Sequence, residues 1–521
     1  MSFKLTYASM FNPPAELHAR FDAALAEVRA ALGKRHALHV DGADVEAAAS
    51  FEKRSPIDRT LLGHFPRGDA GDVERAVAAA RAAFPGWRAT PWRERVALMK
   101  KVADLIEARV YHIAAAIALE VGKNRLEALA EVQETADFFV HYGEDLARHD
   151  GFVHVLPDDP LQGFRSSNRS VMQPYGVWAV VAPFNFPIAL AGGPVAAALV
   201  TGNTVVLKGA TDTPWAGRML ADCLRDAGLP RGVFNYLLGP GAEVGDALVG
   251  HPQVDGITFT GSYDVGMGIY RRCAQGAWPK PCIAEMGGKN ATLVSRRADL
   301  ERAALGIVRS GFGMGGQKCS ALSRLYVEEP VADALIAKLA EKIGALKIGD
   351  PTRVENWLGP VINERARAKY LGYAQQLVQG GATMIAGGRA LEEGELARGF
   401  YCAPTLAEAP LEHPLWQEEM FLPIVMLARV PDLDAGMALA NASTLGLTAG
   451  FYGSEDEAAW FFERIEAGVT YANRPQGATT GAWPGYQPFG GWKGSGTTGH
   501  AIASFYYLAH YLREQSRTLV S

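Results

Sequence analysis

The stretch GVWAVVAPFNFPIALAGGPVAAALVTGNTVVL, residues 176–207, decides the fold class of this chain. It is apolar for long enough to suggest a membrane-spanning helix. Turn-forming residues nevertheless interrupt it at short intervals, namely Pro183, Asn185, Pro187, Pro194, Gly202 and Asn203. We therefore interpret it as a strand, a loop, a buried helix and a second strand inside an α/β core.

The same alternation of short apolar strands and helical segments continues on the C-terminal side. The predicted strands are 177–181, 204–208, 234–237 and 256–259, followed after Glu285 by 291–294, 324–327 and 447–451. Strands that alternate with helices indicate a parallel sheet with crossover connections. The second group of strands predicts a second α/β domain, and this domain contains Cys319.

On the N-terminal side, apolar periodicity predicts several helices. Their ranges are 14–32, 72–83, 91–107, 111–121 and 126–147, with a strand-like pattern at 51–64. Residues 152–170 mix basic and apolar residues, which predicts an exposed β-ribbon. The tail 504–520 is expected to pair with this ribbon.

Length and composition restrict the class of protein. A chain of 521 residues is too long for one hydrophobic core and predicts two or three domains. The net charge of -5 is small for this length and does not indicate a nucleic-acid or membrane partner. Five cysteines without a Cys-x-x-Cys motif argue against a disulfide framework. We expect a cytoplasmic protein without a secretory signal, and without a metal site, because the histidines form no ligand motif.

The most informative cysteine is Cys319, in the segment GGQKCSA at residues 315–321. Glycine, Gln317, Lys318 and Ser320 around it do not suit an apolar core strand, so we interpret the thiol as a nucleophile. A buried apolar position in the core is the alternative for Cys319 and is our interpretation of the other four cysteines. These are Cys223, Cys273, Cys282 and Cys402.

Two further side chains could supply the other groups that attack on a carbonyl carbon needs, an oxyanion donor and a general base. Asn185 lies between Pro183 and Pro187, which stiffen its loop, and its amide can donate to a developing oxyanion together with the backbone N–H of Cys319. Glu285 can then activate water as a general base. A turn-forming asparagine is the alternative for Asn185.

Two glycine-containing segments are candidates for a nucleotide site. GSGTTG at residues 494–499 has the Gly-x-Gly-x-x-Gly spacing but no strand–helix unit around it, so we interpret it as a glycine-rich turn. FTGSYDVG at residues 259–266 follows a predicted strand and leads into a helix. There Gly261 would permit a tight turn, and the backbone N–H groups after it, from Ser262 onward, would face a pyrophosphate. Taken alone, this segment could also be an ordinary strand–helix junction.

The motifs around Asn185, residues 259–266, Glu285 and Cys319, in this order, resemble the aldehyde dehydrogenase superfamily. The resemblance implies an α/β fold with a Rossmann-type cofactor domain, an α/β catalytic domain and a small β oligomerisation arm. The implied boundaries are 1–151 and 171–286 for the NAD(P)-binding domain, 287–485 for the catalytic domain, and 152–170 with 503–521 for the arm. A homodimer or dimer-based oligomer is implied by the same resemblance.

The resemblance also implies cofactor contacts. In addition to Gly261 and Ser262, the implied residues are Phe184, Lys208, Thr211, Glu419 and Phe421. Thr211 stands where the family commonly has a glutamate that binds the ribose hydroxyls. Without that carboxylate, a 2′-phosphate meets less repulsion, so we expect NAD to be used and leave NADP open. Leu422 replaces a usual glycine.

The C-terminal segment contains Asn-Arg at residues 473–474, Thr-Gly-Ala at 480–482 and Gly-Tyr-Gln-Pro-Phe-Gly-Gly at 485–491. These motifs resemble those of the 1-pyrroline-5-carboxylate dehydrogenases, also called glutamate-γ-semialdehyde dehydrogenases. This resemblance implies a role in proline breakdown and leaves a proline dehydrogenase open as a partner. The substrate residues it implies are Ser320, Gly481, Ala482, Phe186, Phe489 and Glu134. Glu134 could equally be an exposed helix charge.

One departure from this pattern leaves other substrates open. The loop that begins at Asn473 is about three residues longer than is usual in the family, and Trp483 follows it where smaller residues are common. Another semialdehyde, or an aromatic aldehyde, is therefore a second hypothesis. Two further alternatives are weaker. A coenzyme-A-acylating enzyme would not need Glu285, and a non-catalytic binding protein would not need Cys319, Glu285 and Asn185 together.

Overall fold

The computed structural model describes residues 13–160, 162–475 and 483–521. Its helices are α1 (Ala15–Ala30), α2 (Ala70–Ala89), α3 (Trp92–Ala108), α4 (Val110–Val121), α5 (Arg125–Arg148), α6 (Ala189–Val200), α7 (Pro214–Asp226), α8 (Asp246–Gly250), α9 (Tyr263–Cys273), α10 (Leu300–Phe312), α11 (Glu329–Gly344), α12 (Glu364–Gln379), α13 (Leu433–Asn441) and α14 (Glu455–Arg464). Its strands are β1 (Lys34–Arg35), β2 (Leu38–Val40), β3 (Ala43–Val45), β4 (Ala49–Arg54), β5 (Leu61–Arg67), β6 (Val153–Leu156), β7 (Ser166–Pro174), β8 (Val177–Val181), β9 (Thr204–Lys208), β10 (Phe234–Leu237), β11 (Gly256–Thr260), β12 (Cys282–Glu285), β13 (Asn290–Val294), β14 (Leu322–Glu328), β15 (Thr383–Ala386), β16 (Thr405–Glu408), β17 (Ile424–Val430), β18 (Leu445–Gly446), β19 (Thr448–Tyr452), β20 (Val469–Ala472), β21 (Trp492–Lys493) and β22 (Leu512–Val520).

The apolar stretch 176–207 forms β8, a loop, the buried helix α6 and β9, as the sequence predicts. No helix within the described residues is long and apolar enough to cross a membrane. Val, Leu and Ala dominate the run because both faces of this part of the sheet are covered.

The first sheet has the strand order β12-β11-β8-β9-β10-β2-β3. Its strands from β12 to β10 are parallel, whereas β2 and β3 extend it antiparallel. The chain runs from β8 to β9 and β10 on one side and returns to β11 and β12 on the other. The order of the strands therefore reverses between β8 and β11, which is where such sheets bind ligands.

The second sheet has the order β15-β16-β17-β14-β13-β19-β20 and is parallel except for β15. The predicted strands 291–294, 324–327 and 447–451 correspond to β13, β14 and β19. The α/β fold class predicted from the sequence is thus confirmed.

A third sheet consists of β6, β7 and β22. The predicted ribbon and tail do pair, because β22 runs antiparallel to β7 along its whole length from Leu512 to Val520. The residues just before β22 instead lie in the main core, where Tyr507, Leu508 and Tyr511 are fully buried. A small sheet of β1, β5 and β4 completes the N-terminal part.

Candidate active site

Four strands of the first sheet end at one edge, and predicted site residues stand at or just after each end. The pairs Val181–Lys208, Phe259–Val181 and Thr260–Glu285 lie in register across β9, β8, β11 and β12. The loop after β8 carries Asn185. Parallel strands with a common register bring these residues to one edge, at the point where the strand order reverses.

A cleft of about 410 Å³ opens at this edge. Its wall includes Pro183, Phe184, Asn185, Thr260, Gly261, Ser262, Met286, Gly287, Cys319, Arg365, Lys369, Glu419 and Phe421. The predicted nucleophile, the predicted oxyanion donor and most of the predicted cofactor residues thus line one cavity.

Cys319 lies in the loop before β14, and its side chain is half-buried. Burial raises the pKa of its thiol to about 12, and the carboxyl groups of Glu419 and Glu285 act in the same direction. The N–H groups of Ser320 and Cys319 act in the opposite direction, since they can donate to a thiolate. The thiol therefore keeps its proton at neutral pH and needs a proton acceptor when it attacks.

The sequence analysis missed the side chain that anchors the Cys319 loop. Asn290, the first residue of β13, donates from Nδ2 to the carbonyls of Cys319 (2.7 Å) and Ala321 (2.8 Å). Its Oδ1 accepts from the N–H of Thr448 at 2.9 Å. The amide therefore joins three neighbouring segments at one edge of the second sheet. Its position directly after the Gly-Gly-Lys segment was the available signal.

Asn185 faces the same loop from the first sheet. Its Nδ2 donates to the carbonyl of Gln317 at 3.1 Å, and the side chain is buried. The Gln317 side chain is itself held by Ile362 N–H and Met314 O. An amide nitrogen has two hydrogens, so one remains to donate into the cleft.

Glu285, the last residue of β12, is buried beside this cleft. Burial raises the pKa of its carboxyl to about 8. Its Oε2 is buried without a hydrogen-bond partner among the described residues. A carboxyl in such surroundings has a pKa close to that of an effective general base at neutral pH.

The glycine-rich segment 494–499 holds β12 in place. Gly496 forms a bridge with Glu285, and Met286 N–H donates to Ser495 O at 2.9 Å. Thr497 Oγ1 accepts from Ala284 N–H and donates to Cys282 O, both at 2.8 Å. The structure thus places this segment along the edge strand of the first sheet.

The predicted nicotinamide residues form another part of the cleft wall. Glu419 accepts from Gly288 N–H at 3.0 Å, and burial raises the pKa of its carboxyl to about 7. A Cβ on Gly287 would overlap this carboxyl group, so any other residue there would displace the Glu419 side chain. The rings of Phe421 and Phe184 meet edge to face, with centroids 5.8 Å apart. Phe421 has a φ of 57°, a conformation that is uncommon outside glycine and is found at functional sites.

Gly261 and Ser262 lie at the start of α9, as predicted, but the reason for glycine differs from the predicted one. Gly261 does not have a positive φ. A Cβ there would lie 2.5 Å from the Phe259 ring, so glycine is required by close packing rather than by a tight turn. Thr260 Oγ1 lines the cleft and is buried without a partner in the described part of the chain, which leaves it available to a ligand.

Lys208 and Thr211 lie at the end of β9. The Lys208 ammonium donates to the carbonyl of Gly209 at 3.1 Å, and burial lowers its pKa to about 8. Thr211 is exposed and donates to Gly239 O at 3.0 Å.

Of the predicted substrate residues, Ser320 is the most informative. Its hydroxyl is buried next to Cys319 and has no partner in the ranges that the structure describes. Phe186 and Phe489 are half-buried, as is Glu134 on α5. Gly481 and Ala482 lie outside the described residues. Just after them, Trp483 is buried and donates to Asp137 Oδ2 on α5 at 2.7 Å.

No group of His, Cys, Asp or Glu side chains within the described ranges could hold a metal ion.

Known proteins are similar to this chain over almost its whole length. A curated 1-pyrroline-5-carboxylate dehydrogenase from Geobacillus thermodenitrificans (strain NG80-2) is 39% identical over 499 residues, 94% of each chain. A solved structure of 1-pyrroline-5-carboxylate dehydrogenase from Thermus with bound NAD superimposes with a TM-score of 0.92 at 32% identity, covering 100% of this chain and 99% of that one. Proline utilization A (PutA) from Bdellovibrio bacteriovorus superimposes with a TM-score of 0.90 at 33% identity, covering 96% of this chain and 51% of that one.

The model of the aldehyde dehydrogenase family matches residues 44–516. With this match and these relatives, the chain belongs to the aldehyde dehydrogenase family.

Proposed function

We propose that this protein oxidises L-glutamate γ-semialdehyde, which is in equilibrium with 1-pyrroline-5-carboxylate, to L-glutamate with NAD, a step of proline degradation. The aldehyde, NAD and water give the acid, NADH and a proton. The observation that carries the proposal is that Cys319, Asn185 and the Glu419–Phe421 wall line one cleft beside Glu285. The names of the similar proteins support the choice of aldehyde.

Cys319 is proposed as the nucleophile. Its sulfur attacks the carbonyl carbon, and its proton passes to solvent water in the open cleft, so the Glu285 carboxylate stays free for the later step. The free N–H of Asn185 and the backbone N–H of Cys319 donate to the oxyanion of the tetrahedral adduct. Removing one such donor typically costs about 3–4 kcal/mol of transition-state stabilisation.

NAD, when bound, supplies an acceptor for the hydride of this adduct. Loss of the hydride leaves a thioester on Cys319. Glu285 then takes a proton from water, and the oxygen of that water attacks the thioester carbon. The acid leaves, and Glu285 returns the proton to the Cys319 sulfur. Oε2 of Glu285 is buried and has no hydrogen-bond partner in the part of the chain that the structure describes. This supports the role, because no donor among those residues competes for that oxygen.

The cleft fits a dinucleotide by its own features. We propose that Gly261, Ser262 and Thr260 face the pyrophosphate at the start of α9, since backbone N–H groups at a helix N-terminus favour anions. Glu419 would hold the nicotinamide ribose, and Phe421 and Phe184 would contact the nicotinamide.

The adenosine end is proposed to contact Lys208 and Thr211. A threonine hydroxyl lacks the charge that would repel a 2′-phosphate, so NADP is expected to be accepted besides NAD. Measured kcat/KM values for the two cofactors test this, and a many-thousandfold preference for NAD would contradict it.

The substrate carboxylate is proposed to bind the free hydroxyl of Ser320 together with the backbone at Gly481 and Ala482. Phe186 and Phe489 would flank the aliphatic chain. Glu134 is proposed to lie near the substrate amino group, from α5.

Another semialdehyde or an aromatic aldehyde is the second candidate. The observation in its favour is Trp483, which is buried and held by Asp137 directly after the lengthened loop. A large side chain there can narrow the space for the substrate.

A panel of aldehydes distinguishes the two candidates. We expect NADH formation from 1-pyrroline-5-carboxylate with a high kcat/KM, and little from succinic semialdehyde or benzaldehyde. The reverse order would assign the protein to the second candidate while leaving the chemistry of Cys319 in place.

We also propose an assembly and a location. The NAD(P)-binding domain spans 1–151 and 171–286, the catalytic domain 287–485, and the arm 152–170 with 503–521. The third sheet supports a dimer, since Val155 and Leu519 on it are 77% and 71% exposed. PutA, named for proline utilization, supports a proline dehydrogenase as a partner. Five free thiols support a reducing cytoplasm.

A further inference from the structure

Four buried charged side chains lie beside the proposed active site without touching the cleft. They are Lys123, Glu127, Glu131 and Lys318. Glu127 and Glu131 are one helical turn apart on α5, so they share a face of that helix. Lys123 lies in the short turn before α5, and Lys318 directly precedes the proposed nucleophile.

Glu131 connects α5 to the loop that carries Asn185. Its Oε2 accepts from Lys123 Nζ at 2.6 Å. Its Oε1 accepts from the N–H groups of Ile188 (3.0 Å) and Ala189 (3.3 Å), which begin α6 just after that loop. The carboxylate therefore caps α6, where negative charge is favoured.

Lys123 contacts the same loop from the other side. Its ammonium lies 3.5 Å from the centre of the Phe186 ring, the residue after Asn185. Burial lowers the pKa of Lys123, while Glu131 and then Glu127 raise it and Lys318 lowers it further. Lys123 is thus close enough to interact with each of the other three charges.

Glu127 connects α5 to the loop that carries Cys319. Its Oε1 accepts from Lys318 Nζ at 3.1 Å, and both side chains are 9% exposed. Because the next residue is Cys319, this ion pair fixes one end of the nucleophile loop. Asn290 holds the loop on the other side.

Stability alone does not account for these pairs. A buried ion pair is often no more stabilising than well-packed apolar side chains of the same volume, so its presence calls for a role in specifying geometry. Here two adjacent pairs on one rigid helix hold two loops that are more than a hundred residues apart in the chain. The same loops carry the two groups that must meet the carbonyl carbon and its oxygen.

We propose that Lys123, Glu131, Glu127 and Lys318 are positioning residues that fix the separation between the Asn185 amide and the Cys319 sulfur. This inference rests on the proposed function, because it takes Cys319 as the nucleophile and Asn185 as the oxyanion donor. The charges act through the two loops and do not contact the substrate.

The test removes each pair without leaving one charge alone. Lys123→Met with Glu131→Gln keeps an amide oxygen that can accept from Ile188 N–H. Lys318→Met with Glu127→Gln removes both charges of the second pair. Each double variant is compared with wild type for kcat and KM with 1-pyrroline-5-carboxylate, for its melting temperature, and for the rate at which iodoacetamide alkylates Cys319.

Misplacing reacting groups by about 1 Å can cost roughly a hundredfold in rate. We therefore expect kcat to fall by between about tenfold and a hundredfold in both double variants, with KM within about threefold of wild type. The alkylation rate is expected to change in the Lys318 variant, because its loop carries the thiol. Wild-type kcat and alkylation rate in both folded double variants would overturn the proposal.

Glu127→Asp covers the case in which a double variant does not fold. It keeps the charge but shortens the side chain by one methylene, so it displaces the Cys319 loop without unpairing Lys318. A lower kcat at an unchanged melting temperature supports the proposal. Wild-type kinetics in Glu127→Asp, together with unfolded double variants, would show a purely structural role and overturn it.

Lys100→Met with Asp104→Asn is the matched control. This Lys–Asp pair lies on α3, with Nζ and Oδ1 2.8 Å apart, but it is exposed and holds no loop of the proposed site. Its removal should leave the kinetics unchanged. Cys319→Ala distinguishes failure of the proposed function from failure of the positioning role. Activity in that variant would contradict the proposed function, independently of the four charged residues.

Discussion

Glu285 shows how one residue can lower stability and still serve the proposed chemistry. Its carboxyl is buried beside the cleft, and one of its oxygens has no partner in the described structure. Burial raises its pKa from 4.5 to about 8. Between these two pH values the unfolded chain loses the proton while the folded protein keeps it, so rising pH favours unfolding.

Glu285→Gln should therefore stabilise the protein at high pH. The amide has no proton to lose, and the gain should be on the order of a few kcal/mol at pH 9 and close to zero at pH 4.5. Chemical denaturation of wild type and variant at both pH values measures it. If wild type and variant differ in free energy of unfolding by the same amount at both pH values, the folded protein does not keep the Glu285 carboxyl protonated.

The same carboxyl predicts the pH dependence of turnover. A general base works only when deprotonated, so the rate of thioester hydrolysis should rise with pH up to about 8 and then level off. If hydrolysis limits turnover, a profile of kcat against pH shows this rise in rate. A kcat that is constant from pH 6 to pH 9, with hydrolysis shown to be limiting, would contradict the assignment.

Residues in short local motifs were predictable from the sequence, because their immediate neighbours in the chain indicate their chemical role. The prediction that Cys319, Asn185, Glu419 and Phe421 share a site agrees with the cleft that they line. Asn290 was missed because its role depends on two carbonyls about thirty residues away. The ion pair of Glu127 with Lys318 was missed for the same reason.

At the scale of elements, the edge strand β12 depends on the segment after β21. Thr497 satisfies the N–H of Ala284 and donates to Cys282 O, so its side chain completes the hydrogen bonding of the strand that ends in Glu285.

Thr497→Val should leave one N–H of this strand without its partner. We expect a loss of about 1–3 kcal/mol in the free energy of unfolding, and a lower kcat because Glu285 shifts with its strand. Thr498→Val is the matched control, since that hydroxyl only reaches His500 O at the surface. If both variants lose the same stability and activity, the bonds to β12 have no special role.

Most helices and strands were predictable because their apolar periods are regular. The strands 177–181, 204–208 and 234–237 were predicted with the bounds that the structure has. The strands β2 and β3 were not predicted. Each is only three residues long, which is too short for a clear apolar period. β3 pairs with β2, and β2 joins the sheet by pairing with β10, about two hundred residues away, so their place in the sheet could not be predicted from local pattern.

At the scale of the whole molecule, the third sheet is the surface that we propose for contact with a second copy of the chain. Its exposed apolar residues include Val153, Val155, Leu156, Leu519 and Val520. The strand β22 forms one edge of this sheet along the full length of β7. The pairing was predictable from composition, but its register and the burial of Tyr507 and Tyr511 were not.

Deleting residues 512–521 should convert an oligomer into smaller species, because it removes this strand and exposes β7. Sedimentation velocity of the deletion variant and of wild type measures the change. A matched variant, Leu519→Asp with Val520→Asp, keeps the strand but makes its end polar. An unchanged oligomer in both variants would place the interface elsewhere.

In the proposed reaction, Cys319 and Glu285 carry the two halves of one oxidation. The most direct measurement is the stopped-flow time course of NADH formation after mixing enzyme and NAD with 1-pyrroline-5-carboxylate. Glu285→Gln should give a burst close to one NADH per active site followed by a slow steady rate, and Cys319→Ala should give neither phase. A normal steady rate in Glu285→Gln, or a burst in Cys319→Ala, would contradict the account.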